Sequence, residues 1–460
     1  MAIAVQTQSA PATQMGSVPG PKPVKGFLDT VRFGINFSRR SMQLFREWFA
    51  QYGDTVALRV GDFTQVMILN PDDVHEVLVA QASKFQKDAG YTDTKVGLAR
   101  FLGNGLITSN GDFWRRQRKL AAPAMHARRI ASYADTMVNF TEQMLTTWRD
   151  NQMIDANAAM KKLTMEIVAK CLFNTEVGHE AERVHETLEA IQDASSGFSL
   201  IPPWVPTPKE LRARRARKEL DEMIYKMIRE RRATGEDKGD LLSMLLLARD
   251  EDGSMMNELQ ARDEAVSMFL AGHETTANLL TWTFSLLAQY PEVEAKLHAE
   301  VDQVLQGRAA TLEDLKKLPY TEMVIKEALR MYPPAWVISR EATTEVELGG
   351  YHYPKGTVFG VGIYYIHRDP RNFPQPDVFD PERFTPENEA KIPKFAYIPF
   401  GDGPRICIGF MFAQMEAALL LATIAARYRL EIKPGYKVEM HPRLTLNVRG
   451  GLPMVLHARH

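Results

Sequence analysis

Apolar residues recur at helical spacing over residues 38–52, and the run stops at Gly53. Alternation then takes over: Val56, Leu58 and Val60, a Gly61-Asp62 turn, then Val66 and Ile68, which predicts a β-hairpin. A helix with acidic residues in its first turn is expected over 71–81. A second alternating stretch at 345–356 suggests a small sheet built from separated segments. Residues 87–107 are Gly-rich and aperiodic; loops of that length in a compact domain are usually functional or mobile, so this one is expected to form a pocket wall. Further helices are predicted over 112–122, 154–174, 180–195, 209–232, 258–289 and 318–332. The segment 258–289 is the longest, ~48 Å at helical rise, enough to cross a whole domain. In the tail, alternating runs at 444–448 and 454–456 are joined by Gly450-Gly451, which reads as a C-terminal hairpin dipping back toward the pocket. The expected fold class is mainly α with a small β region.

The stretch 197–208 is apolar yet broken by four prolines, so it is not helix interior. It is expected to be the entrance to an apolar pocket, with Phe198, Ile201 and Trp204 at its rim. The charged helix after it reads as a solvated outer helix.

Composition narrows the classes. Apolar residues make up 45% of the 460, enough for a sizeable core. With 56 basic and 57 acidic residues the overall field favours neither nucleic acid nor a membrane surface. Two cysteines, Cys171 and Cys407, exclude a disulfide framework and suit a reducing compartment. Residues 1–20 carry no charged side chain, and have neither the basic start and apolar core of a signal peptide nor a membrane-length apolar span. The expected organisation is a disordered tail over 1–22 and one domain over 23–460.

Residues 400–410 read Phe-Gly-Asp-Gly-Pro-Arg-Ile-Cys-Ile-Gly-Phe. Gly401, Gly403 and Pro404 forbid a helix before Cys407, and a long apolar run follows it. The sulfur therefore stands where a loop becomes a helix, a position that favours a thiolate. Gly403 and Gly409 are expected to let something flat approach the backbone, and Arg405 offers a positive fork for a carboxylate. Phe400, Gly403, Arg405, Cys407 and Gly409 resemble the haem-thiolate loop of the cytochrome P-450 superfamily, Phe-x-x-Gly-x-Arg-x-Cys-x-Gly, without departure. The resemblance implies that family's triangular helical fold with a long central helix over haem b. Cys407 is then the iron ligand, whose thiolate favours O–O cleavage.

Other segments extend the resemblance. Trp114 and Arg118, four apart on one helix face, match the family's Trp-x-x-x-Arg element, which implies haem propionate binding. Arg115, Arg116, Lys119, Arg128 and Arg129 leave a basic patch nearby, a candidate dock for an acidic redox partner. The centre of the long helix reads Ala271-Gly-His-Glu-Thr-Thr-Ala277, and its His and Glu argue against a membrane span. Gly272 and the threonines are expected to open the helix locally, because Thr hydroxyls compete for carbonyls one turn back. The segment resembles the family's acid–alcohol pair, here Glu274 and Thr275, which relays protons to iron-bound oxygen. Glu327 and Arg330, with Arg383 in the stretch 379–384, match the Glu-x-x-Arg and Pro-x-Arg-Phe elements, whose members form a buried ionic triad. Over 335–340 the resemblance implies apolar side chains above the haem and Arg340 on a propionate.

The implied activity is monooxygenation of a lipophilic substrate. The expected pocket residues are Phe198, Ala271, Ala335, Trp336, Val337 and Leu446. The Ala-Gly-His-Glu-Thr-Thr sequence leans toward fatty-acid or alkane hydroxylation, with terpenoid, steroid or aromatic substrates as alternatives. The chain ends without a flavin or ferredoxin module, so electrons from NAD(P)H are expected through a separate ferredoxin or flavodoxin and its reductase. The expected protein is a cytoplasmic, bacterial-type monomer with no membrane anchor and no nucleic acid partner. Two other classes are a haem-binding sensor without turnover and a haem-free structural domain.

Overall fold

The computed structural model describes residues 13–14, 17–175, 181–195, 205–249 and 253–459. The expected entrance residues Phe198, Ile201 and Trp204, and most of the expected N-terminal tail, lie outside them. Among the described residues no helix is long and apolar enough to cross a membrane.

Helix α1 (Phe27–Tyr52) begins well before the expected residue 38 and kinks at Arg40. Its first half is largely exposed, with Phe27 76% accessible, so the apolar spacing that signals burial starts only after the kink. The hairpin β1 (Thr55–Val60) and β2 (Phe63–Ile68) forms as alternation predicts, with Val56, Leu58, Val66 and Ile68 buried. Helix α2 (Pro71–His75) passes into a π-helical turn over Glu76–Ala80. A short strand, β3 (Phe85–Gln86), precedes the Gly-rich stretch, and α3 (Gly111–Ala121) and α4 (Ala134–Thr146) follow.

Next come β4 (Met153–Asp155), α5 (Ala156–Phe173), α6 (Ala181–Ser195), α7 (Pro208–Thr234) and α8 (Leu241–Leu247). The long helix α9 (Glu258–Leu287) starts in a capping box, Asn257 with Gln260. It spans ~45 Å and is buried over most of its length, packing along α5. Its first turns hold the Gly-rich stretch in place: Asp263 accepts the Asn104 N–H at 2.7 Å and Glu264 the Leu106 N–H at 3.0 Å. A Cβ at Gly103 would stand 2.1 Å from Asp263 Oδ1, and one at Gly105 2.4 Å from Ser267 Oγ. The glycines of this stretch thus admit close packing on α9.

Helices α10 (Pro291–Leu305) and α11 (Pro319–Met331) lead into β5 (Ile338–Ala342), β6 (Val346–Leu348), β7 (Tyr351–Tyr353) and β8 (Val358–Val361). A five-stranded sheet has the order β1-β2-β8-β5-β3, with β2 and β8 parallel; the alternating stretch 345–356 lies outside it, its strands β6 and β7 pairing with each other and β7 with Thr13–Gln14. On α11, Arg330 lies 2.7 Å from Glu327, both fully buried, and Arg383 Nε lies 3.3 Å from Glu327 Oε1.

The chain closes with α12 (Phe410–Ala425), β9 (Tyr428–Ile432), β10 (Met440–Pro442), β11 (Leu446–Val448) and β12 (Pro453–Ala458). The expected hairpin across Gly450-Gly451 does not form. Instead β10 pairs with β11, while β12 inserts between β9 and β4. Gly451 is needed for another reason: a Cβ there would meet Asp155 Oδ2 at 2.2 Å.

Candidate active site

The Cys407 loop is shaped by its glycines. Gly401 and Gly403 both take φ of +70°, where other residues are strained. A Cβ at Gly403 would stand 1.9 Å from the Leu78 carbonyl oxygen, so this glycine serves contact with the π-helical turn rather than a flat ligand. Gly409 differs: a Cβ there meets nothing within 4 Å, so the backbone beside the sulfur is open. The Cys407 N–H donates to the Phe400 carbonyl at 3.0 Å, which fixes the turn. Cys407 is exposed onto a cavity, whereas Cys171 packs in the core. Although the sulfur opens onto the cavity, the protein enclosing that cavity keeps it from bulk water and raises the Cys407 thiol above its ordinary pKa, opposed by the Gly409 N–H and the Arg118 guanidinium. The helix start alone therefore does not hold a thiolate here, and α12 begins only at Phe410. A bound metal cation would offset that cost.

That cavity measures about 320 Å³. Lys87, Arg340 and Arg405 line it, and no carboxylate does among the described residues. Burial lowers the pKa of all three, with Arg405 pushed down to about 10 by burial and by Arg340 and Arg118. Arg405 donates to the Ser109 carbonyl at 3.1 Å and Asn110 Oδ1 at 2.9 Å, and its guanidinium carbon lies 4.1 Å from the centre of the Trp114 ring. Lys87 Nζ stands 3.7 Å from the centre of the Tyr91 ring. Arg118 is half-buried near Cys407, and neither it nor Trp114 lines the cavity. Three partly desolvated cations beside an open thiol suit a flat, dianionic, metal-bearing group such as haem.

Of the expected pocket residues, Ala271 and Ala335 line the cavity, joined by Ile107, Leu172, Met268 and Ile338. Trp336, Val337 and Leu446 do not. Trp336 donates its indole N–H to the Arg443 carbonyl at 2.9 Å, and Val337 packs with it against a second core cluster around the five-stranded sheet. Leu446 is fully buried in that cluster, where its strand bonds Pro334 and Trp282.

Helix α9 stays helical through Ala271–Ala277 rather than opening. Thr275 Oγ1 donates to the Ala271 carbonyl at 2.7 Å, and Gly272 makes room for Val168, whose Cγ2 would lie 3.0 Å from an added Cβ. Thr275 lines the cavity but Glu274 does not. The Glu274 carboxylate accepts from Gln192 Nε2 and, at 3.1 Å, from Asn447 Nδ2.

Lys87 is the site residue that sequence reasoning missed. It opens the aperiodic stretch, where no spacing assigns a face; only the expectation that 87–107 forms a wall pointed near it.

Comparison with known proteins identifies the family. The cytochrome P-450 family model matches residues 18–453. The cyclooctatin synthase of Streptomyces melanosporofaciens is 37% identical over 465 residues, 99% of this chain and 99% of that one. The pentalenene oxygenase of Streptomyces avermitilis is 32% identical over 439 residues, 93% of this chain and 95% of that one. The solved structure of a cyanobacterial family member with retinoic acid bound superposes with a TM-score of 0.85 at 26% identity, covering 96% of this chain and 100% of the other. The chain therefore belongs to the cytochrome P-450 family and is a monooxygenase of it.

Proposed function

We propose that this monooxygenase oxidises a neutral, bulky lipophile of the terpenoid class. The observation that carries this reading is where charge sits in the cavity. Its only charged lining groups among the described residues, apart from the thiol, are Lys87, Arg340 and Arg405, which lie close enough to depress one another. Lys87, Arg340 and Arg405 would supply the cations for the two haem propionates. The rest of the described lining is apolar, glycine or threonine, so with two propionates bound at most one cation is left for a fatty-acid carboxylate. The expected lean toward fatty acids accordingly gives way to the terpenoid alternative, which similarity to a pentalenene oxygenase also supports.

Haem b bound through Cys407 supplies dioxygen activation, one oxygen entering a C–H or C=C bond and the other leaving as water. Lys87, Arg340 and Arg405 hold the propionates. Trp114 backs Arg405 by stacking, and Arg118 lies near the sulfur and steadies its charge. Thr275 Oγ1 lines the cavity and would present its proton there on releasing the Ala271 carbonyl. Glu274, one residue earlier, resupplies it on release from Gln192 and Asn447. Glu327, Arg330 and Arg383 are structural, anchoring α11.

Electrons come from NAD(P)H through a separate ferredoxin or flavodoxin and its reductase. The acidic partner docks on the basic face around Arg115, Lys119 and Arg128, all exposed. The protein acts as a cytoplasmic monomer.

Titrating the haem-loaded protein with sesquiterpene and diterpene hydrocarbons and with long-chain fatty acids, while following the haem absorption, tests the substrate class. The reading expects saturable shifts with terpenes and oxygenated products with a generic reductase system. Tighter binding and faster turnover of fatty acids would overturn it.

A further inference from the structure

A second, larger cleft lies apart from the Cys407 cavity and shares no described lining residue with it. It measures about 720 Å³, within the small-molecule range and far larger than a single ion needs. Its described lining brings together Arg39, Arg40, Lys209, Lys437, Arg443 and Arg449, against two carboxylates, Asp193 and Glu439. The chain as a whole is balanced, 56 basic to 57 acidic residues, so this excess is local.

The cations converge from separate parts of the fold. Arg39 and Arg40 stand at the kink of α1, Lys209 opens α7, and the other three flank the β10–β11 hairpin. Asp193 pairs with Arg443 at 2.9 Å and Glu439 with Arg449 at 3.8 Å, Arg443 also meets Glu189 at 3.3 Å and Arg40 meets Glu47 at 3.0 Å. These arginines therefore exchange a carboxylate for an incoming anion, whereas Arg39 and Lys437 carry no ion pair among the described residues. His441, also in the lining, has its pKa pushed down to about 4 by burial first and then by Arg443 and Arg449, against Asp193 and Glu189. Guanidinium forks pair bidentately with phosphate oxygens, and several of them at the rim of one cleft suit a multiply charged oxyanion better than a monoanion.

We propose that this cleft is a binding site for a small molecule bearing a diphosphate group, held by Arg39, Lys437, Arg443 and Arg449. The site is distinct from the haem cavity and from the basic face assigned to the redox partner.

Isothermal titration of the haem-loaded full chain at low ionic strength, with inorganic pyrophosphate, inorganic phosphate and ADP, tests this. Pyrophosphate is expected to bind one to one, at least tenfold more tightly than phosphate. ADP binding more tightly than pyrophosphate identifies a diphosphate ester as the occupant, and weaker binding identifies the free anion. The Arg39→Ala/Lys437→Ala/Arg449→Ala variant should lose at least tenfold in affinity with an unchanged haem spectrum. The single Lys437→Glu variant, at an exposed position, should show the same direction of change if the triple variant folds poorly. An Arg115→Ala/Arg116→Ala/Lys119→Ala variant should bind as the parent does. Absence of pyrophosphate binding at millimolar concentration, or binding lost with the Arg115 variant and kept in the Arg39 variant, overturns the proposal.

Discussion

Thr275 faces the cavity, while the carboxylate of Glu274, its neighbour in sequence, is turned away and held by Gln192 and Asn447. Successive helical positions project about 100° apart, and here that turn leaves the Glu274 carboxylate off the wall that Thr275 and Thr276 line. On the proposed relay, Glu274 is a reserve acid one step behind the hydroxyl.

Replacing Glu274 by Gln keeps the side chain's shape and removes its exchangeable acid. Turnover is expected to fall about 10²-fold, within the usual range for losing a proton donor, and the solvent isotope effect to rise. Substrate-induced absorption shifts should be unchanged. Stopped-flow and product assays in H₂O and D₂O check this; unchanged turnover would remove Glu274 from the relay.

Glu327→Gln leaves Arg330 buried beside a neutral partner. Breaking such a fully buried pair costs about 3–5 kcal/mol, so the denaturation midpoint should drop markedly whether or not substrate is present. Chemical denaturation followed by circular dichroism reads this. A loss below about 1 kcal/mol, the level of an exposed pair, would contradict it.

Two glycines of one loop should answer differently to alanine. At Gly403 the added methyl collides with the Leu78 carbonyl at a positive φ, so the loop itself must shift and haem retention should fall sharply. At Gly409 no protein atom is near, so the fold should be kept and the change should appear only in the haem spectrum. Haem stoichiometry and thermal melts of the two variants separate the cases.

These contrasts show what was legible in the amino-acid order. The Cys407 loop was, because its chemistry is packed into ten consecutive positions. The β1–β2 hairpin was too, because alternation and a Gly-Asp turn fix register locally. Lys87 was not, since an aperiodic stretch gives no face to assign. Trp336 and Val337 were expected at the pocket from the family resemblance and Leu446 from the tail turning back toward it, yet they pack toward the sheet. Which side of an irregular segment meets a cavity is decided by distant partners such as Arg443 and Trp282. The strand pairing of the tail escaped for the same reason, because β12 pairs with β9 and β4 rather than with the alternating run beside it.

Glu264 gives a pH prediction. Burial pushes its carboxyl up to about 8, opposed by the Leu106 N–H, against an unfolded value near 4.5. A raised acid contributes stability that is complete below pH 4.5 and is lost as pH rises through 8. Glu264→Gln keeps an acceptor for Leu106 and does not titrate. Relative to the parent, the variant should be indifferent near pH 4.5 and progressively more stable toward pH 9. Parallel melts across that window test the sign; an advantage at low pH that vanishes at high pH would contradict it.

The account rests on an iron–sulfur bond at Cys407, and carbon monoxide added to the reduced, haem-loaded protein tests it most directly. The main absorption band of the parent should move to the long wavelength that marks anionic sulfur opposite carbon monoxide, and Cys407→Ser should abolish that displacement. An undisplaced band in the fully loaded parent, or a displaced band that survives Cys407→Ser, would contradict the assignment of Cys407 as the haem ligand.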